Sequence, residues 1–176
     1  MDDRLDVRRL GVEDAAPFTS VRREALEADP LAFSASIDDD VRLDPEFVQR
    51  SLANESEQAV FGYFEDGRLC GIVGLVRASK LKQRHAATVW GMYVSAGARR
   101  RGAGRALLHA AVEQARAWGV EQVQLSVTDA APEAKRMYEA AGFKSWGHQP
   151  RTLGWRGRFV DESHMVLDLR EPEDNS

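Results

Sequence analysis

Residues Val94 to Ala115 read VSAGARRRGAGRALLHAAVEQA. Arg99, Arg100 and Arg101 stand directly before Gly102, Ala103 and Gly104, Arg105 follows, and apolar positions then recur at helical spacing. Glycines let backbone N–H groups approach a ligand closely, a helix start offers unpaired donors with partial positive charge, and arginine adds forked, charge-assisted hydrogen bonds. Together these residue types can hold a phosphate or pyrophosphate. The spacing disfavours two common versions of such a cradle. A nucleoside-triphosphate loop needs Gly-Lys followed by Ser or Thr, whereas Gly104 is followed by Arg105 and Ala106. The dinucleotide fingerprint needs a glycine three residues after Gly104, where Leu107 stands.

The basic cluster lies in a chain of net charge −4, so any anionic partner is a local one. Non-specific nucleic-acid binding is not expected, because it depends on neutralising many phosphates. With 176 residues, 43% of them hydrophobic and 30% charged, the sequence reads as an ordinary globular chain able to bury about 70% of its unfolded surface. Residues 1–170 are expected to form one domain, with the polar residues 171–176 as a flexible tail. The single cysteine, Cys70, excludes an internal disulfide and sits in the apolar run LCGIVGLV, as a structural thiol does. MDDRLDVRRL resembles neither a signal peptide nor a transit peptide, and no run reaches membrane-spanning length, so the cytoplasm is the expected compartment. The four histidines lack metal-ligand spacing, and no metal is expected.

The elements that must position the cradle follow from periodicity. LDVRRL reads as a strand, and a helix follows in which Val21, Ala25 and Leu26 recur until Asp29-Pro30 stops it. Asp44 caps a second helix with Pro45 in its first turn. Two strands flank Asp66-Gly67, a hairpin signal, and HAATVWGMYV is a third. Leu107, Leu108, Ala111, Val112, Ala115 and Trp118 form the apolar face of a helix that ends at Gly119. VQLSV is a short buried strand, PEAKRMYEAAG a helix bounded by Pro132 and Gly142, FKSWGHQ another strand, and SHMVLDL the last. Antiparallel strands followed by β-α-β-α predict an α/β (α+β) domain: a mixed, mostly antiparallel sheet flanked by helices on both sides.

MYVSAGARRRGAGRALL resembles the acetyl-CoA signature of the GNAT N-acetyltransferase superfamily, with Arg99, Gly102 and Gly104 at its fixed positions. APEAKRMYEAAGF is similar to the later helix of that family, matching at Tyr138, Gly142 and Phe143, and the order of elements extends the resemblance over nearly the whole chain. The resemblance implies that acetyl-CoA is the co-substrate. Its pyrophosphate would be held by Arg99, Arg100, Arg101, Gly102, Ala103, Gly104 and Arg105, and the backbone of Met92, Tyr93 and Val94 would run beside the pantetheine arm. One departure is Ala131, where the family often has an asparagine that bonds the pantetheine; Asp129, Thr128 or water is left to replace it.

Acyl transfer from a thioester to an amine needs a held donor, a neutral amine, a stabilised oxyanion and a proton for the departing thiol. The resemblance makes Tyr138 the acid, a role its ordinary pKa of about 10 suits, while helix periodicity alone makes it a core residue. For the base, Glu24 and Glu162 lead, with Asp161, His85 and His164 also open. In this family the acceptor site is built from the segments corresponding to LAFSASIDDDVRLD and WGHQPRTLGWRGRFVDE. Asp38, Asp39 and Asp40 either attract a cationic amine or form a solvated loop; Trp146, Trp155, Arg156 and Phe159 either line a pocket or meet a second subunit. The expected reaction is direct transfer of an acetyl group to a primary amine, on a small molecule in preference to a protein N-terminus or lysine. A non-catalytic acyl-CoA sensor is the reading from another class, and a homodimer is the assembly the resemblance admits.

Overall fold

The computed structural model describes residues 5–170; the expected tail, 171–176, lies outside them. Among the described residues, seven strands form one sheet: β1 (Asp6–Arg9), β2 (Gln58–Glu65), β3 (Arg68–Arg77), β4 (Ala86–Val94), β5 (Gln122–Thr128), β6 (Lys144–Trp155) and β7 (Arg158–Asp168). Their spatial order is β1-β2-β3-β4-β5-β7-β6. Neighbours are antiparallel except β4 and β5, which are parallel.

The helices are α1 (Ala15–Ala28), α2 (Pro45–Ala53), α3 (Ala103–Ala117) and α4 (Pro132–Ala140). They cover both faces, as the pattern of elements predicts. On one face α1 and α2 bury Phe18, Val21, Ala25, Val48 and Leu52 against Ile72 and Leu69 of β3. On the other, Leu107, Leu108, Ala111 and Ala115 of α3 and Tyr138 of α4 pack on Val73 and Leu75 of β3, Val89, and Val123, Leu125 and Val127 of β5. β3 therefore alternates its side chains between two cores and is apolar on both faces. Burial of these two layers is the main stabilising term.

Local chemistry sets the ends of the elements. Asp66 and Gly67 both take positive φ, 49° and 76°, as a two-residue hairpin turn requires. The Asp44 carboxylate accepts from the backbone N–H of Glu46 and Phe47, and Pro45 opens α2. The last two strands depart from the sequence reading. The segment read as a short strand plus an aromatic connection is one long hairpin, β6–β7. Trp146 is an extra residue against β7, and Pro150, Arg151 and Thr152 oppose Asp161 alone, so bulges absorb the residues that look unlike strand.

Candidate active site

The parallel pair β4–β5 is short. Its register runs Ala86 with Gln122, Ala87 with Val123 and Thr88 with Gln124, and beyond Thr88 the two strands part. On the other edge of β4 a bulge sets Gly91 and Met92 against the single residue Val73 of β3. Gly91 has φ 66°, a conformation that side chains rarely adopt, and that is why the bulge sits on a glycine. Past the bulge, the Ser95 N–H donates to the Cys70 carbonyl at 2.8 Å. Backbone groups of successive strand residues point to opposite edges, so those of Val94 face the side that β5 has left. Consistent with this, the Val94 carbonyl accepts from Arg99 Nε at 2.8 Å instead of from β3.

The segment expected to form the cradle follows at once. Gly102 is the N-cap of α3 with φ 83° and has no side chain to cap it, so the first-turn N–H groups of α3 lack a side-chain partner among the described residues. The arginines divide into two kinds. Arg99 is a strut: besides the Val94 carbonyl it holds Asp29 at 2.9 Å and lies 5.4 Å from the Tyr93 ring. Arg101 pairs with Glu65 at 3.0 Å, and Glu65 also accepts the Tyr63 hydroxyl at 2.8 Å. Arg100, at φ 64°, and Arg105 are exposed and make no ion pair among the described residues. Arg105 also borders a groove of about 420 Å³ between α3 and α4, with Leu108, His109, Met137 and Ala141. Ala103 is buried and Gly104 half-buried under Met137, so they shape the helix start.

Tyr138 is 5% exposed, packs on Phe143 at 5.9 Å, and its hydroxyl has no hydrogen-bond partner among the described residues. Burial pushes the phenol above its ordinary value, so it stays protonated and able to donate. Of the expected bases, Glu24 on α1 accepts the Tyr93 hydroxyl at 3.0 Å. Burial and then this contact raise Tyr93 to about 12. Glu162 is opposite Thr128 in the register and half-buried. Strand alternation puts it on the α1 face of the sheet, with His164, whose Nδ1 lies 2.8 Å from Ser126 Oγ. Asp161 is engaged by the Arg151 N–H at 2.8 Å and by His148 at 3.0 Å, which hold it below the usual carboxylate range. His85 lies at the opposite end of β4, where its carbonyl accepts from Glu121 and Gln122.

The segment between α1 and α2 crosses toward the end of β5, where Thr128 Oγ1 donates to the Leu31 carbonyl at 2.8 Å. That hydroxyl proton is committed to Leu31, its oxygen can still accept, and Asp129 beside it is exposed. Of the acidic run in this segment, Asp38 is exposed while Asp39 and Asp40 are engaged within the fold. Asp39 accepts from the Ser36 N–H and hydroxyl, and Asp40 is buried against Arg22. Trp146 (68% exposed) stacks on His164, while Trp155 and Phe159 stand near the tip of the β6–β7 hairpin. Arg22, which sequence reasoning passed over, lies in the buried stripe of α1 four residues after Phe18. A charged residue at a core position of the helical period was the available signal.

These features define an acyl-CoA transferase architecture: an opened parallel pair, a bulged strand beside it, and a glycine-capped, arginine-flanked helix start. The chain belongs to the acetyltransferase (GNAT) family, whose model matches residues 19–143. Among solved structures, a GNAT-family acetyltransferase from Streptococcus pneumoniae is 27% identical, covers 94% of this chain and 100% of its own, and superposes with a TM-score of 0.83. A Salmonella typhimurium protein solved with its cofactor acetyl-CoA is 20% identical over 98% of both chains, TM-score 0.83. A phosphinothricin acetyltransferase from Sinorhizobium meliloti, in complex with acetyl-CoA, is 19% identical over 97% of this chain and 94% of its own, TM-score 0.82. No curated protein matches the chain.

Proposed function

We propose that residues 1–170 act as one acetyltransferase unit that moves an acetyl group from acetyl-CoA directly to the primary amine of a small molecule. The observation that carries the reading is the opening between β4 and β5 beside the uncapped start of α3. In this reading the first-turn amides of α3, with Arg100 and Arg105, hold the pyrophosphate; Arg99 and Arg101 shape the loop; Met92, Tyr93 and Val94 line the arm. Acetyl-CoA, when bound, supplies an activated carbonyl and a thiol leaving group.

The chain's residues do the rest. The Val94 N–H, directed to the opened side, is a fixed donor for the oxygen that gains charge, and a donor set in advance needs no reorganisation. The bond from amine nitrogen to carbonyl carbon forms, the carbon–sulfur bond breaks, the amine gives up a proton, and the sulfur receives one from Tyr138. Glu24 and Glu162 are the bases in this scheme, both on the α1 face of the sheet, acting directly or through water. Cys70 is buried with its thiol toward the Arg68 carbonyl at 3.4 Å, which supports transfer without a cysteine intermediate. No helix among the described residues is long and apolar enough to cross a membrane, and a lone buried thiol suits the reducing cytoplasm, the compartment that goes with this reading.

The test is release of free thiol from acetyl-CoA across amino acids, polyamines, aminoglycosides and short peptides, with a mass gain of one acetyl group on the acceptor. Acetyl-CoA binding without consumption by any acceptor would overturn the catalytic reading in favour of a sensor.

A further inference from the structure

Arg22 stands where a core residue belongs. α1 buries Phe18, Val21, Ala25 and Leu26, and the Arg22 side chain, 5% exposed, lies in the same stripe. Its Nε donates to Asp40 Oδ2 at 2.6 Å, and its guanidinium carbon is 5.1 Å from the centre of the Phe33 ring. Its Nη1 is buried with no hydrogen-bond partner among the described residues. That nitrogen lies against the bulge of β4, where a Cβ built on Gly91 would be 3.4 Å from it.

Asp40 does not balance the cluster by itself. Its second oxygen accepts the Arg42 N–H at 3.1 Å, with the Arg42 guanidinium 3.9 Å away and stacked on Trp90 at 4.0 Å. Two guanidinium groups thus share one carboxylate. Burial, and then the charge of Arg22, pull Arg42 below its ordinary value, as expected of like charges held close. A buried, charged donor left unpaired is costly, and an apolar pair in its place would serve packing as well or better. The arrangement makes sense if the missing partner is an anionic group. Gly91 directly precedes Met92, so the unpaired nitrogen points at the bulge beside the opening of β4, on the α1 face. The α1–α2 segment that carries Phe33 and Asp40 spans that same face, tied to β5 through Leu31 and Thr128.

We propose that Arg22, with Arg42 beside it, selects an acceptor that carries a carboxylate next to its amine: a free α-amino acid. The proposal rests on the acetyl-transfer reading above and narrows its acceptor. The carboxylate accepts from Arg22 Nη1, takes up the excess positive charge, and orients the neighbouring amine toward the opening of β4. Arg22 and Arg42 are specificity residues in this scheme and move no proton.

The experiment measures kcat/KM for the twenty common amino acids, each beside its carboxamide and its decarboxylated amine, in the wild-type protein. The expected result is a preference of about 100-fold or more for the best amino acid over its carboxamide, because a site built for a charged hydrogen bond rejects the analogue that lacks it. In Arg22→Gln that preference falls below about tenfold, a change in selectivity that a merely structural role would not produce. Should Arg22→Gln fail to fold, Arg22→Met with Asp40→Leu replaces the ion pair by apolar groups and reads the same ratio. A wild-type protein that uses carboxamides or simple amines as well as amino acids overturns the carboxylate site and leaves acetyl transfer standing. If no acceptor releases thiol, thermal shifts with coenzyme A present decide the matter. An amino acid that raises Tm in the wild type and not in the double variant supports the site, and none doing so overturns it. Absence of acetyl-CoA binding by calorimetry would overturn the parent reading, and the acceptor proposal with it.

Discussion

The division among the cradle arginines leads to an ordered set of affinities. Arg100 and Arg105 are exposed without ion-pair partners among the described residues, so under the proposed cradle a bound phosphate would gain their hydrogen bonds without breaking others. A charge-assisted hydrogen bond contributes about 1.5–3 kcal/mol, and solvent exposure lowers this to about 1–2 kcal/mol. Arg100→Gln and Arg105→Gln are therefore expected to weaken coenzyme A binding about 5- to 30-fold each at low ionic strength. Arg101 must give up Glu65 at 3.0 Å before it can serve a phosphate, an exchange of one ionic contact for another. Arg101→Gln is expected to cost about threefold or less. The assay is titration calorimetry with coenzyme A at low and high salt. Near 1 M salt the Debye length is about 3 Å, and the losses at Arg100 and Arg105 should shrink toward that at Arg101. If Arg101→Gln costs as much as the other two, or if salt leaves the ranking unchanged, the division into free and engaged arginines is wrong.

Further predictions concern the acid, the core and pH. Tyr138→Phe should lower kcat about 100-fold or more while Tm barely moves, since the hydroxyl has no partner among the described residues; unchanged turnover in single-turnover assays would return Tyr138 to the core. Leu107, fully buried, should cost about 2–5 kcal/mol as Leu107→Ala, a fall in Tm of roughly 5–15 °C by calorimetry. Asp14 accepts two hydrogen bonds from Arg8 at 2.8 Å and one from the Gly11 N–H at 2.9 Å, and these contacts, Arg8 first, hold it below the usual carboxylate range. Its contribution is therefore present above the ordinary value of about 3.9 and is lost as pH falls through the lower folded value. Acid scans of Tm should flatten in this window for Asp14→Asn, and an unaltered slope would remove Asp14 from the account.

Some of the fold was legible because the responsible residues act locally. Asp66-Gly67, Asp44-Pro45, Pro132 and Gly142 each fix backbone angles or satisfy donors within a few positions, so their turns and helix ends read directly from the chain. The β6–β7 hairpin was hidden because Pro150 cannot donate in a ladder and therefore looks like a loop. Pairing with β7 overrides that signal by placing Pro150, Arg151 and Thr152 in a bulge over Asp161. At the site, the glycines and arginines expected to form the cradle lie together at the start of α3, but which arginines are engaged depends on Asp29 and Glu65, residues distant in sequence. Arg22 was missed for a different reason. A search for apolar periodicity counts Val21, Ala25 and Leu26 and steps over the charge between them.

The two ends of the sheet have a bearing on how the chain behaves among its own copies. An edge strand exposes unpaired N–H and carbonyl groups on which a neighbouring molecule could extend the sheet. Here one edge is β1, four residues long and carrying Arg8 and Arg9; the other is β6, broken by two bulges and by Pro150. Neither offers a straight, uninterrupted ladder. Copies of the chain are thereby steered away from edge-to-edge polymerisation, and shortening the bulge at Pro150–Thr152 to restore regular pairing would create a template for it.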